Sequence, residues 1–174
     1  MVQGSTQGRA MGVDFGRSRI GIAISDELRI LARPLCVIRW RGKELPVQPI
    51  TELAQRHEVR EVLIGLPRNM DGSEGPSAEQ ARSFAGALAS CCQVTVLLMD
   101  ERLSSREAYQ KLQLNSGTSK RARARQAAAK LDAHAAAVIL QRYLDGEPAM
   151  PFHQDSGSGQ AGPQMRGGLK ADPS

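Results

Sequence analysis

Three stretches of the chain put carboxylates where a strand or an apolar helix would otherwise run uninterrupted. Asp14 sits in "MGVDFG", between Val13 and Phe15; Asp100 and Glu101 close the apolar run "VTVLLMDE"; Asp132 lies near the start of "KLDAHAAAVILQRYLD". A buried, unpaired carboxylate costs several kcal/mol or neutralises itself by taking up a proton, so each of these acids needs a partner. Any one of them alone is accounted for as a strand-end cap, a helix-end charge or half of a salt bridge, and Asp132 also suits the N-terminal end of its helix. Together they point to a shared divalent cation. Mg²⁺ and Mn²⁺ take oxygen ligands, and two ions about 3.5–4 Å apart can activate a water and stabilise the leaving oxygen in phosphodiester hydrolysis.

The cations are placed to suit that chemistry. Arg17 and Arg19 flank the turn that follows Asp14, where a scissile phosphate would lie. From Arg102 to Lys130 the chain carries eight basic residues against one acid, Glu107, while the chain as a whole has a formal charge of +5. Such a concentrated segment is a solvated face or a track for a polyanion. As a track, Arg102, Lys120, Arg121, Arg123 and Arg125 would follow a nucleic-acid backbone and make affinity salt-dependent. The turn-rich stretch "GLPRNMDGSEGPSAEQ" leads into a helix N-terminus, where Asn69, Gly72 and Gly75 either hold a phosphate on backbone N–H groups or shape a long loop. Asp71 and Glu74 oppose phosphate there. His134 is two residues from Asp132, a spacing that turns the two side chains apart on a helix.

These residues need a frame. "MGVDFG" and "RIGIAIS" read as two strands around Gly16-Arg17-Ser18; in the second, Ile20, Ile22 and Ile24 alternate with Gly21, Ala23 and Ser25, so one face is small enough for close packing. A third strand, about Leu35 to Trp40, completes an antiparallel meander. A short amphipathic helix from Pro49 to His57 follows, then "VLIGLP" (Val62 to Pro67), a continuous apolar strand suited to burial on both faces. Ser77-x-x-Gln80 has the form of a capping box and opens a helix to about Ser90. A strand from Val94 to Glu101 follows, then a second capping box at Ser104 with a helix to Leu112, then a basic loop from Leu114 to Arg125. A long Ala-rich helix stops at Gly146. The order β-β-β-α-β-α-β-α-α predicts an α/β three-layer sandwich on a five-stranded mixed sheet, an antiparallel meander plus two crossover units.

The rest of the sequence sets limits. With 174 residues the chain suits one domain, expected over residues 11–149, between a flexible leader at 1–10 and a disordered Gly/Ser/Gln/Pro-rich tail at 150–174. Apolar runs reach only about six residues, as from Val94 to Met99 broken by Thr95, far short of the roughly 20 residues that cross a bilayer. The opening "MVQGSTQGRA" lacks an apolar signal core, so the expected location is cytoplasmic. Three cysteines, two of them adjacent, make neither a disulfide framework nor a zinc site and read as small buried hydrophobes. At 3% aromatic residues, platforms for stacking single-stranded bases are scarce. An Asp-x-Gly at a first strand also occurs in actin-like and sugar-kinase ATPase domains, but those need two such domains in a much longer chain.

Four segments, "GVDFGRSRIGIAISD", "VLIGLPRNMDGSEGP", "MDERLSSREA" and "KLDAHAAAVILQRYLD", appear in that order between about Met11 and Asp145. Together they resemble the YqgF/RuvX family of pre-16S rRNA nucleases, related to Holliday junction resolvases. The resemblance implies an RNase H-like fold and metal-dependent endonuclease activity on the 5′ end of pre-16S rRNA in ribosome biogenesis. It narrows the acidic set to Asp14, Glu101 and Asp132 as catalytic residues and ligands of Mg²⁺ or Mn²⁺. Asp100 matches the motif too, but strand neighbours alternate faces, which favours Glu101. Two rivals stay open: a non-catalytic RNA-binding factor in ribosome assembly or transcription, and a Holliday junction resolvase acting on branched DNA. A resolvase would need a dimer to cut two strands symmetrically; the sequence leaves monomer and homodimer both open.

Overall fold

The computed structural model describes residues 8–41, 44–101 and 122–153. In chain order these form β1 (Arg9–Phe15), β2 (Arg19–Ser25), β3 (Ala32–Arg39), α1 (Val47–Arg56), β4 (Val59–Leu66), α2 (Pro76–Cys91), β5 (Thr95–Asp100), α3 (Ala122–Leu144) and β6 (Met150–Pro151). The helix expected at Ser104–Leu112 lies outside the described residues, as do Arg102, Lys120 and Arg121.

One mixed sheet carries the strands in the order β3-β2-β1-β4-β5-β6. The meander is antiparallel, β1 with β2 and β2 with β3, while β1, β4 and β5 run parallel. The sheet has six strands where five were expected. Met150 and Pro151 add an antiparallel edge strand, pairing with Leu98 and Leu97. An edge is where proline belongs, because it has no N–H to give to a further neighbour. The sheet also begins earlier than expected, at Arg9.

Alternation along the strands sorts the side chains into two layers. Met11, Val13, Ile20, Ile22, Ile64, Leu66 and Leu98 join Ile50 of α1 and Phe84 and Leu88 of α2 in the larger core. Ala10, Ala23, Leu63 and Leu97 pack on the other face with Ala136 and Leu140 of α3. This is the expected three-layer sandwich. The side toward α3 is built from small residues, so the helix lies close: a Cβ at Gly12 would stand 2.8 Å from Cβ of Leu140 and would collide with the carbonyl oxygen of Ala136.

Helix boundaries depart from the expected ones for identifiable reasons. α2 starts at Pro76, with Gly75 as its N-cap and no capping side chain, so Ser77 and Gln80 do not form a capping box. Proline suits the first helical position, where its missing N–H costs nothing. α3 begins at Ala122 and takes in Arg123 and Arg125, which were expected in a loop. Alternating Ala and Arg are strong helix formers. Gly146, at φ +97°, stops the chain as expected, its N–H bonding the carbonyl of Tyr143 at 3.0 Å. The cysteines are less buried than expected: Cys36 and Cys92 are half-buried, and Cys91, at the end of α2, is exposed. Among the described residues no helix is long and apolar enough to cross a membrane.

Candidate active site

Asp14 is 4% exposed on β1, one of two buried polar residues among those described, the other being Ser25. Its strand partner is Gly21 of β2. On the other side, Val13 pairs with Ile64 of β4, so Asp14 lies level with Gly65, one step along the same parallel register. Directly opposed residues on neighbouring strands point to the same face. Asp14 therefore stands on the α3 side of the sheet between two glycines.

The space left by those two missing side chains is filled by the other two acids. A Cβ at Gly21 would collide with the carbonyl oxygen of Asp132 and come within 3.0 Å of the backbone nitrogen of Ala133. A Cβ at Gly65 would collide with Oε1 of Glu101 and stand 2.8 Å from its Cδ. The Glu101 N–H donates to the carbonyl of Leu66 at 3.1 Å, continuing the β4–β5 pairing one residue past the strand and fixing where that side chain leaves the sheet. The Glu101 carboxylate thus stands over Gly65 and the main chain of Asp132 over Gly21, on either side of Asp14, although the chain separates the three residues widely.

Asp100 is placed elsewhere. Its Oδ2 lies 3.6 Å from Nη1 of Arg68, and it alternates with Glu101 as neighbours on a strand do. Asp132 carries a partner that the sequence had not suggested: its Oδ2 accepts a hydrogen bond of 2.6 Å from Nε of Arg19. His134 is exposed. Among the described residues no group of three His, Cys, Asp or Glu side chains is arranged to hold a metal ion. In donor chemistry the three acids suit a hard divalent cation, since all are carboxylates, and the Asp132 carboxylate is held by the Arg19 guanidinium.

A cleft of about 210 Å³ opens at the carboxyl ends of β1 and β4, lined by Phe15, Gly16, Arg17, Pro67, Ser77, Gln80 and Glu101. From β1 the chain turns to β2 on one side, and from β4 the next sheet strand, β5, lies on the other. Open α/β sheets bind ligands at such a switch point. Its rim is braced. Gly16 N–H bonds the Arg19 carbonyl at 3.0 Å, and Trp40 Nε1–H bonds the Gly16 carbonyl at 3.1 Å. Phe15 stacks on Phe84 with ring centroids 4.7 Å apart. Arg17 is exposed at the mouth.

The long loop between β4 and α2 is tied by its own side chains. Asn69 N–H bonds the Ser73 carbonyl and Gly72 N–H the Asn69 carbonyl, each at 2.9 Å. Asp71 accepts from the N–H and hydroxyl of Ser73, which lower its pKa. These N–H groups are used within the loop, so for Asn69 and Gly72 the loop-shaping alternative holds. Glu74 is clamped by two arginines: Arg82 Nε donates at 2.6 Å and Arg68 Nη2 at 2.9 Å. Hydrogen bonds from Arg82 and then Arg68 outweigh burial and hold the Glu74 carboxyl down to about 2. Because Arg68 also approaches Asp100, the clamp links the loop to the end of β5.

The family model described as "RuvX: Holliday junction resolvase" matches residues 8–146. The chain belongs to the RuvX family. Three curated relatives named "Putative pre-16S rRNA nuclease" align along nearly their whole length. That from Anaeromyxobacter sp. (strain Fw109-5) is 48% identical over 141 residues, 81% of this chain and 99% of the relative. The Pelotomaculum thermopropionicum protein is 43% identical over 90% of this chain and 98% of its own; for Myxococcus xanthus the figures are 43%, 84% and 95%. Thermus thermophilus RuvC has a similar fold, with a TM-score of 0.50 at 16% identity, over 82% of this chain and 99% of that one. The family expected from the four sequence segments is thereby the right one, and a nuclease is the class of enzyme that these relatives are named for.

Proposed function

We propose that this RuvX-family chain is a metal-dependent endonuclease that processes the 5′ end of pre-16S rRNA, with Asp14, Glu101 and Asp132 as its catalytic carboxylates. The observation that carries the reading is the buried Asp14 between Gly21 and Gly65, with Asp132 and Glu101 packed into the space those glycines leave. Segments that bring three acids to neighbouring positions on a sheet carry an electrostatic cost that a shared divalent cation would offset. Asp14, Glu101 and Asp132 would hold Mg²⁺ or Mn²⁺, which would supply Lewis-acid stabilisation of the phosphoryl oxygens and a more acidic attacking water.

The chain's own groups do the rest. Asp14 is immobile on its strand and orients the site. Glu101 faces the cleft from a backbone position fixed on Leu66. Arg17, exposed at the cleft mouth, binds and orients the substrate phosphate. Arg102, Lys120, Arg121, Arg123 and Arg125 track the substrate backbone and make its binding salt-dependent. The RNA substrate is assigned on the names of the curated relatives.

The Arg19–Asp132 pair favours the rival reading of a non-catalytic RNA-binding factor, because it occupies one of the three acids. Cleavage of pre-16S rRNA and of a synthetic four-way DNA junction, each with Mn²⁺, by wild type and Asp14→Asn decides the matter. The nuclease reading expects the RNA to be cut, with Asp14→Asn slower by about 10²–10³-fold. Junction cutting without RNA cutting assigns a resolvase. RNA binding with no cleavage by wild type assigns the binding factor.

A further inference from the structure

We propose that Arg19 is an exchangeable counter-cation of the site: it holds Asp132 until a divalent ion takes that carboxylate, and then turns its guanidinium to the substrate phosphate. The inference rests on the metal-dependent reading above. Three observations support an exchange confined to side chains. The Asp132 main chain is packed on Gly21 with no room to shift, so its backbone stays while its carboxylate changes partner. The backbone of Arg19 is likewise pinned, its carbonyl accepting from Gly16. The Arg19 side chain is 41% exposed whereas that of Asp132 is 15% exposed, so the guanidinium can leave into solvent without opening the core.

The electrostatics give the exchange its direction. Arginine keeps its charge at any working pH, so a monovalent cation is always available to Asp132. Asp132, acting with Asp14 and Glu101 on a divalent ion, would exchange the single guanidinium for a cation of twice the charge. Arg19 opens β2 two residues after Arg17, which lines the cleft, and the fork of a released guanidinium matches a phosphate. Apparent ion affinity is then reduced by the fraction of molecules in which Asp132 is held by Arg19.

The test is a Mn²⁺ titration of the full-length protein, reading free Mn²⁺ by electron paramagnetic resonance, for wild type, Arg19→Gln and Arg19→Lys. Removing the competing charge from this partly exposed pair is expected to tighten Mn²⁺ binding roughly three- to fivefold in Arg19→Gln. Arg19→Lys, which keeps a cation in reach, stays within about twofold of wild type. Cleavage by Arg19→Gln nevertheless falls at saturating Mn²⁺, because the phosphate loses its guanidinium. Should Arg19→Gln not fold, Arg19→Met retains the aliphatic stem and is read in the same way. Equal or weaker Mn²⁺ binding by the neutral variant, beside a wild type that does bind, overturns the exchange and leaves the nuclease reading standing. Absence of Mn²⁺ uptake by both overturns the two together.

Discussion

Gly65→Ala separates the site from the fold. An added Cβ at this position would collide with Oε1 of Glu101 and stand 2.8 Å from Cδ1 of Ile139 on α3. Both obstacles are ends of flexible side chains, so the substitution displaces the Glu101 carboxylate by about 1 Å or more while the backbone keeps its place. Overpacking of this kind costs about 1–2 kcal/mol, and replacing a strand glycine by alanine returns about 0.5 kcal/mol through the unfolded chain. The net loss, about 1 kcal/mol, corresponds to a melting temperature lower by about 2–4 °C in a protein of this size. A catalytic group misplaced by about 1 Å loses on the order of 100-fold in rate. Thermal melting and pre-16S rRNA cleavage in Mn²⁺ are measured on the same preparation. Cleavage within about threefold of wild type would refute the placement of Glu101 over Gly65 as the working geometry. A fall of more than about 10 °C would show that the residue serves the fold instead.

The neighbouring glycine gives the opposite result. In Gly21→Ala the Cβ meets main-chain atoms of Asp132 and Ala133, which cannot rotate away without lifting α3; the expected loss is about 3 kcal/mol or more, seen as a melting point roughly 6–12 °C lower. The Glu74 clamp predicts an acid-sensitive share of stability. Its folded pKa is depressed from 4.5 to about 2, so the contribution is present above pH about 4.5 and is lost as pH falls towards about 2. With Arg82 40% exposed, the contribution is about 1–2 kcal/mol after screening. Urea unfolding should therefore show Glu74→Gln less stable than wild type at pH 7, with the gap narrowing at pH 3 and closing towards pH 2; a gap independent of pH rules the ion pairs out as its source.

Local rules carried the sequence reading far, and it stopped where tertiary approach took over. Period-two alternation found the meander, and the apolar runs "VLIGLP" and "VTVLLM" found the two parallel strands, because burial on both faces leaves a direct imprint on residue type. Strand alternation also chose Glu101 over Asp100, and Asp100 does lie against Arg68. A two-residue edge strand at Met150 and Pro151 has too few positions to show any period. Arg19 was placed near a phosphate, and its contact with Asp132 crosses 113 residues of chain, a pairing no spacing rule contains. Gly65 did leave a signal: a glycine inside a buried strand marks close approach by something else. What approaches it could be named only once α3 and β5 were in place.

Gly12, Gly21 and Gly65 also explain how the three distant segments that carry the proposed acids can approach one another. Asp14 is short and fixed mid-strand, so the other carboxylates must come to it across the sheet face. A helix approaches a strand this closely only where side chains are absent, and Gly12 and Gly21 give α3 that path, bringing Asp132 over β2. On the other side a carboxylate leaving the end of β5 must lean across β4, and Gly65 leaves that space open for Glu101. Gly21 thus holds backbone against backbone while Gly65 accommodates a side chain. That difference is why alanine at the first should unfold the protein more readily, and at the second should silence it while leaving it folded.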